Sequence, residues 1–161
     1  ALINRCGVLA GPWQMAKADQ GIVTLWLARH YFKNPLKYIG FGGTGKQVRD
    51  FLHIEDLFHL VELQLDQMDT WDGRIYNVGG GLPVSTSLCE LTEKCQALTG
   101  NTIPITPEPA TSDVDVRVFI TDAGKVSNDY QWKPERDVNK TLADIHQWLV
   151  ENEALLQPVL G

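Results

Sequence analysis

The sequence is poor in the cysteine and histidine patterns that hold disulfides or metals. Cys6, Cys89 and Cys95 are odd in number and widely spaced, without a C-x-x-C motif. His53 and His59 do not form H-E-x-x-H, and no third ligand is spaced with them. Disulfide frameworks and zinc sites need paired or clustered ligands. We therefore expect reduced thiols, no metal site and a cytoplasmic protein.

Long apolar runs and a basic excess are also missing. No run approaches the roughly 20 apolar residues that a membrane span needs, and the net charge of -6 argues against a broad nucleic-acid-binding surface. Neither an initiator methionine nor a basic signal-peptide region precedes Ala1-Leu2-Ile3, so we expect the chain to be part of a longer protein. Its 161 residues, 43% hydrophobic and 21% charged, have the composition of a globular domain.

Short apolar stretches alternate with amphipathic stretches along the whole chain. Apolar periodicity predicts strands at residues 2–6, 36–39, 47–54, 74–78 and 103–105, and helices at 20–32, 55–67, 88–100, 122–130 and 138–155. The stretch 107–116 is rich in Pro, Ser, Thr and Asp and is expected to be a loop. Strands that alternate with helices indicate an α/β fold, with α+β as the alternative.

Residues 40–46, with the sequence GFGGTGK, have the G-x-x-x-x-G-K spacing of a P-loop. A P-loop also needs a Ser or Thr after the lysine and a helix that begins at the phosphates. Gln47 follows the lysine here, and residues 48–54 are extended in character. We therefore favour a turn between two strands over a nucleotide triphosphate site. Glycines 79–81 lack the G-x-G-x-x-G spacing of a dinucleotide-binding loop.

Three stretches together resemble one family. Residues 42–57, GGTGKQVRDFLHIEDL, resemble the G-x-G-x-x-x-R-D-(F/W/Y)-(L/I)-(H/Y)-V-x-D signature of the extended short-chain dehydrogenase/reductases, the NAD-dependent sugar epimerases and dehydratases. Residues 76–81, YNVGGG, resemble the family's Y-N-(V/I)-G-x-G strand, and residues 116–134 resemble its R-x-x-x-x-D … L-G-W-x-P tail. Within the family, residues 11–15, 19–21 and 42–47 are most similar to the CDP-paratose 2-epimerases.

The resemblance implies that the chain is the C-terminal portion of a Rossmann-type enzyme, comprising the last sheet strands and a small α/β substrate domain. Residues 1–35 and about 47–78 would contribute to the edge of the Rossmann core, and about 36–46 and 79–161 to the substrate domain. The family's G-x-x-G-x-x-G loop and its Tyr-x-x-x-Lys pair do not occur in the sequence. No catalytic residue is therefore assigned, and we expect the chain alone to be inactive.

Two arginines are the candidate ligands for the substrate's diphosphate or ribose. Arg49 and Arg117 match the family's two arginines, and a planar guanidinium suits the oxygens of a diphosphate. From the residues alone, a local surface pair of Arg49 with Asp50 or Glu55 is the alternative. The family's Arg-Pro-Gly-Asp run is replaced by residues 112–115, SDVD, so one arginine that often contacts substrate is lost.

Other candidate contacts follow from the same resemblance. The backbone of Gln20 and Gly21 would contact the nucleotide at a helix N-terminus. Lys37 and Ile39 share one face of a strand and would border the nucleobase. Cofactor-binding candidates are the residues after the first strand, which would lie near the nicotinamide of NAD: Cys6, Gly7 and Val8.

The activity implied for the intact enzyme is epimerisation of a CDP-linked 3,6-dideoxyhexose by transient oxidation at carbon 2. NAD would be the cofactor, bound mainly by the upstream portion, and a homo-oligomer is expected. The alternatives are a 4-epimerase, dehydratase or decarboxylase acting on UDP- or dTDP-sugars, or a non-catalytic nucleotide-sugar-binding module. Nucleic acids and membranes are not expected partners.

Overall fold

The computed structural model describes residues 1–16 and 21–161 and has the predicted α/β fold. The strands are β1 Ile3–Cys6, β2 Val8–Ala10, β3 Leu36–Ile39, β4 Val48–His53, β5 Ile75–Val78, β6 Ser85–Ser87, β7 Ile105–Glu108 and β8 Val118–Phe119. The helices are α1 Ile22–Tyr31, α2 Ile54–Leu65, α3 Leu88–Thr99, α4 Gly124–Tyr130, α5 Val138–Glu151 and α6 Glu153–Leu160.

The strand β4 organises the sheets. Its second half pairs in parallel with β2, and its first half lies between antiparallel β6 and parallel β8. Two parallel pairs, β1 with β5 and β3 with β7, complete the described strands. Strands of parallel sheets are normally connected by helices that cover their faces, and α2 makes the connection between β4 and β5 here.

The core divides into two clusters of buried side chains. The larger one joins helices α1, α3 and α5, with Leu27, Leu91 and Leu149 almost fully buried. The smaller one lies under α2 and α4 and includes Leu52 and Tyr76. Burial of such side chains is the main favourable contribution to folding, so these clusters hold β4 and its neighbours in place.

The glycines that follow β5 are required by close packing. A Cβ on Gly80 would lie 2.1 Å from the Phe51 carbonyl oxygen, and one on Gly79 would lie 2.5 Å from the Thr121 side chain. No larger residue fits these two positions without a shift of the backbone. The Y-N-V-G-G-G stretch therefore brings the end of β5 directly against β4 and the segment at Thr121.

Several predicted elements differ from the structure. The strand expected at 103–105 begins at Ile105 and extends to Glu108, while Ile103 is buried in the core. Its Pro107 is opposite Tyr38, so the predicted loop begins after the strand. The helix expected at 138–155 is broken at Asn152, where φ is −121°, into α5 and α6. The strands β2, β6 and β8 were not predicted, because runs of two or three residues give no periodicity.

Candidate functional site

Arg49 lies on β4 with its guanidinium already engaged. Nη2 donates to Asp115 Oδ1 at 2.9 Å, and Nη1 donates to the carbonyl oxygens of Val48 at 2.8 Å and Arg117 at 3.4 Å. The side chain is about one quarter exposed. The structure therefore contradicts a local pair with Asp50 or Glu55 and gives Arg49 a carboxylate partner far along the sequence.

Asp50 points to the opposite side of β4 and is fully buried. Its Oδ1 accepts hydrogen bonds from the Thr121 backbone N–H at 3.0 Å and hydroxyl at 3.2 Å, and its Oδ2 accepts one from the Gly81 N–H at 2.9 Å. All three donors belong to chain segments outside β4. The carboxylate therefore fixes these segments, and among them is the one that leads away from Arg117.

Two neighbouring clefts meet beside Arg49. The smaller one, of about 310 Å³, is lined in part by Val8, Arg49 and Asp115. The larger one, of about 600 Å³, is mostly apolar and includes Lys37 and Ile39 in its lining. Both clefts share three residues in their walls: Ile22, Gln47 and Leu88. The structure thus places Arg49 and Val8 in one cleft and Lys37 and Ile39 in its neighbour, and these two adjoining clefts together are termed the cavity.

The strand β3 presents its side chains to two sides, as its alternation requires. Ile39 is about half exposed and lines the larger cleft together with Lys37, whose Nζ is 3.0 Å from Glu108 Oε2. Tyr38 takes the other side, where its hydroxyl is 2.7 Å from Thr92 Oγ1 and its ring stacks on Trp26. The Lys37 and Ile39 face is therefore open to a ligand, whereas Tyr38 serves packing.

Arg117 lies just before β8, two residues after Asp115, and is not among the residues that line the two clefts. Its guanidinium carbon is 5.3 Å from the centre of the Phe41 ring, a cation–π distance. Its carbonyl oxygen accepts from the Val48 N–H at 2.9 Å, so its backbone is held against β4. Gly21 precedes α1 with a φ of 73°. Gln20, the other predicted backbone contact, lies outside the described residues.

Cys6, Gly7 and Val8 connect the carboxyl end of β1 to β2. Cys6 is exposed, and the Gly7 N–H donates to the Val78 carbonyl oxygen at 2.9 Å. Ligands of open parallel sheets bind outside the carboxyl ends of the strands. Residues 6–8 lie at such an end, and the sequence lacks the G-x-x-G-x-x-G loop of the family.

The structure excludes the alternative sites that the sequence raised. After the 3₁₀ turn Phe41–Gly43 the chain enters β4 rather than a helix, so residues 40–46 form no P-loop. His53 is buried, and its Nδ1 accepts from the Glu55 N–H at 3.1 Å, which caps α2. Within residues 1–16 and 21–161, no group of three His, Cys, Asp or Glu side chains could hold a metal, and no helix is long and apolar enough to cross a membrane.

Sequence reasoning missed two participants in the cavity. Asp115 was noted as a remnant of a family motif, but not as the partner of Arg49, which is 66 positions away. In the sequence, Gln47 stands out only because it occupies the position where a P-loop needs Ser or Thr, yet it lines both clefts. Its place two residues before Arg49 was the available signal, since alternate residues of an extended chain share a face.

Known proteins that resemble this chain belong to one family. Residues 1–79 match the NAD dependent epimerase/dehydratase family. The CDP-paratose 2-epimerase of Salmonella typhi is 30% identical over 149 residues, which are 91% of this chain and 44% of that protein. The dTDP-glucose 4,6-dehydratase of Salmonella typhimurium is 27% identical over 160 residues, 94% of this chain and 41% of that protein.

Solved structures share the fold. The UDP-glucose 4-epimerase of Thermotoga maritima, solved with UDP-glucose, superposes with a TM-score of 0.78 at 22% identity over 94% of this chain and 46% of that one. The dTDP-glucose 4,6-dehydratase of Bacillus anthracis, solved with NAD, gives a TM-score of 0.76 at 26% identity over 98% of this chain and 47% of that one. The chain therefore spans less than half the length of these relatives.

Proposed function

Because the chain belongs to the NAD dependent epimerase/dehydratase family, we propose that it forms the nucleotide-sugar-binding portion of an NAD-dependent epimerase. The proposed substrate is a CDP-linked 3,6-dideoxyhexose, inverted at carbon 2 by transient oxidation. The base preference is supported by the similarity to a CDP-paratose 2-epimerase over 91% of the chain. Catalytic proton transfer belongs to a Tyr-x-x-x-Lys pair, which this sequence does not contain.

The observation that carries the proposal is the ion pair of Arg49 with Asp115. A guanidinium 2.9 Å from a carboxylate oxygen shows that an oxyanion fits at this point of the cavity. Diphosphate oxygens have the same hydrogen-bonding requirements as a carboxylate and carry more charge, so they can replace Asp115 on Nη2. Arg117, on the neighbouring segment, would contact the second phosphate or the ribose.

The other predicted residues follow from a diphosphate placed on Arg49. The nucleobase would enter the larger cleft against Lys37 and Ile39, and the backbone at Gln20 and Gly21 would contact the nucleotide. The sugar would extend the other way, past Val8 towards residues 6–8. NAD, when bound there, accepts and returns the hydride. This chain's own role is to bind and orient the nucleotide-sugar and to exclude water from the oxidised carbon.

Two alternatives are kept, each for a specific reason. A 4-epimerase or 4,6-dehydratase acting on UDP- or dTDP-sugars is supported by relatives with those names at 25 to 30% identity. A non-catalytic nucleotide-sugar-binding module is supported by the missing Tyr-x-x-x-Lys pair. Assays with NAD and each nucleotide-sugar on the full-length protein that contains this chain separate the two, because an enzyme turns over its nucleotide-sugar and a module binds it without turnover.

Calorimetric titration of the chain with CDP tests the proposed site. Arg49→Ala should weaken CDP binding at least tenfold, because hydrogen bonds to a charged group are each worth about 1.5–3 kcal/mol. Arg117→Ala should weaken it less. Arg74→Ala is the matched control, since Arg74 is exposed and pairs with Asp72 away from the cavity. Undiminished CDP binding by Arg49→Ala would remove the assignment.

A further inference from the structure

The side-chain amide of Gln47 is held in one orientation in the wall shared by the two clefts. Its Nε2 donates to the Ile39 carbonyl oxygen at 2.9 Å. Since a carbonyl oxygen accepts only from a donor, the amide nitrogen must face Ile39 and the amide oxygen must face elsewhere. The interaction therefore fixes which end of Gln47 is available to other groups.

The amide oxygen of Gln47, which faces away from Ile39, has no hydrogen-bond donor among the residues that the structure describes. Gln47 Oε1 is buried, and in the part of the chain that the structure describes it has no hydrogen-bond partner. Most buried polar side-chain atoms in folded proteins are hydrogen-bonded, and an exception calls for an explanation. Gln47 lines both the Arg49 cleft and the cleft of Lys37 and Ile39, so a nucleotide that occupies both passes directly beside it.

The chemistry of these atoms indicates which group a ligand brings. Oε1 is an acceptor, and the Ile39 carbonyl oxygen beside it has a second lone pair. Two adjacent acceptors suit an amino group, which has two hydrogens to donate. The 4-amino group of cytosine meets this requirement. Uracil and thymine carry a carbonyl oxygen at the same ring position, which would face Oε1 with a lone pair.

We propose that Gln47 is a specificity-determining residue that selects cytosine over uracil and thymine, its Oε1 accepting a hydrogen bond from the 4-amino group. This inference rests on the proposed function, because it takes the nucleobase to lie in the cleft of Lys37 and Ile39. It adds a residue and a mechanism of base selection to the site. Leucine at position 47 would remove the acceptor at similar volume.

The test is calorimetric titration with CDP and UDP of the unaltered chain and of Gln47→Leu. The unaltered chain should bind CDP about tenfold or more tightly than UDP, the effect of one hydrogen bond gained or one acceptor left unpartnered. Gln47→Leu should bring the ratio close to one, mainly by weakening CDP. Gln67→Leu, on an exposed glutamine outside both clefts, should keep the ratio.

A second measurement needs no mutation and covers the case in which Gln47→Leu does not fold. On the unaltered chain, N4,N4-dimethyl-CDP, which has no amino hydrogen, should bind about tenfold or more weakly than CDP. The size control, 5-methyl-CDP, keeps the amino group and should bind like CDP.

The outcomes separate this inference from the function on which it rests. If CDP binds but the ratio to UDP is near one in the unaltered chain, or survives in Gln47→Leu, the role of Gln47 is wrong and the nucleotide site stands. Equal binding of CDP and its dimethyl analogue has the same meaning. If neither CDP nor UDP binds to the unaltered chain, the proposed function falls and the inference falls with it.

Discussion

At the residue scale, two neighbours on one strand have opposite tasks. Arg49 lines the smaller cleft, where its partner Asp115 is partly exposed. Asp50 points into the protein, where three donors surround a fully buried carboxylate. The alternation of the strand thus places the proposed binding residue, Arg49, and the structural residue, Asp50, on opposite sides of β4.

Replacement of Asp50 should destabilise the protein strongly. Asp50→Ala leaves the buried N–H groups of Thr121 and Gly81 without their acceptor, so we expect the free energy of unfolding to fall by about 2–4 kcal/mol. Urea denaturation followed by circular dichroism measures this change. Asp69→Ala, on an exposed turn, is the control and should cost less than about 0.5 kcal/mol. A loss as small for Asp50→Ala would refute the structural role.

Two buried histidines should make stability depend on pH. Burial lowers the pKa of His30 and His53 from the ordinary 6.5, and Arg136 lowers that of His53 further, against Glu55 and Asp144, which raise it. Above about pH 6.5 both residues are neutral in the folded and unfolded chain. Below about pH 6.5 these two histidines bind protons in the unfolded chain, whereas in the folded chain they become protonated only at lower pH. The free energy of unfolding should therefore fall with falling pH, by at most about 1.4 kcal/mol per pH unit for each histidine.

Single-residue variants show which histidine causes this dependence of stability on pH. His53→Gln should remove part of the slope between pH 6.5 and 5, measured as the free energy of unfolding in urea at each pH. His59→Gln, on the exposed side of α2, should leave the slope as it is. A slope that His53→Gln does not change would show that His53 does not contribute to it.

At the residue scale, the sequence predicted which side chains share a face wherever a strand motif determines this. The R-D pair and the Lys37/Ile39 alternation could be read directly, because strand geometry determines which side chains share a face. The ion pair of Arg49 with Asp115 could not be read, because the fold alone brings together positions so far apart in the chain. The same holds for the Ile39 carbonyl that orients Gln47.

At the element scale, helix termini were the most reliable prediction. The Ser87-x-x-Glu90 spacing is that of a capping box, and the structure has both of its reciprocal hydrogen bonds, with Gly100 in the left-handed conformation at the other end of α3. Such signals are local and need no tertiary information. The break between α5 and α6 had no such signal, since apolar residues continue across Asn152.

Removal of the α3 cap should have a moderate cost. Ser87 Oγ accepts from the Glu90 N–H at 3.2 Å, and Glu90 Oε2 accepts from the Ser87 N–H at 2.8 Å. We expect Ser87→Ala to lower the free energy of unfolding by about 1 kcal/mol, up to about 2. Thermal or urea denaturation measures it, with Ser112→Ala in an exposed loop as the control. Equal stability of the two variants would show that the cap contributes nothing.

At the scale of the whole molecule, one cavity joins residues from most of the chain. The strands β2, β3 and β4 and the segment before β8 all contribute to it, and they come from widely separated parts of the sequence. Of the residues predicted from the resemblance, Arg49, Val8, Lys37 and Ile39 line the two clefts, whereas composition and periodicity predicted only the fold class. The family's catalytic pair is absent from the sequence, so the role that we propose for this chain is recognition of the nucleotide-sugar and not proton transfer.

The most direct test of that account is a crystal structure of the chain with CDP. We predict that a phosphate oxygen lies within about 3 Å of Arg49 Nη2, the usual length of a charge-assisted hydrogen bond, in the place now held by Asp115. The cytosine should lie in the cleft of Lys37 and Ile39. A diphosphate bound elsewhere, with the Arg49–Asp115 pair intact, would contradict the account.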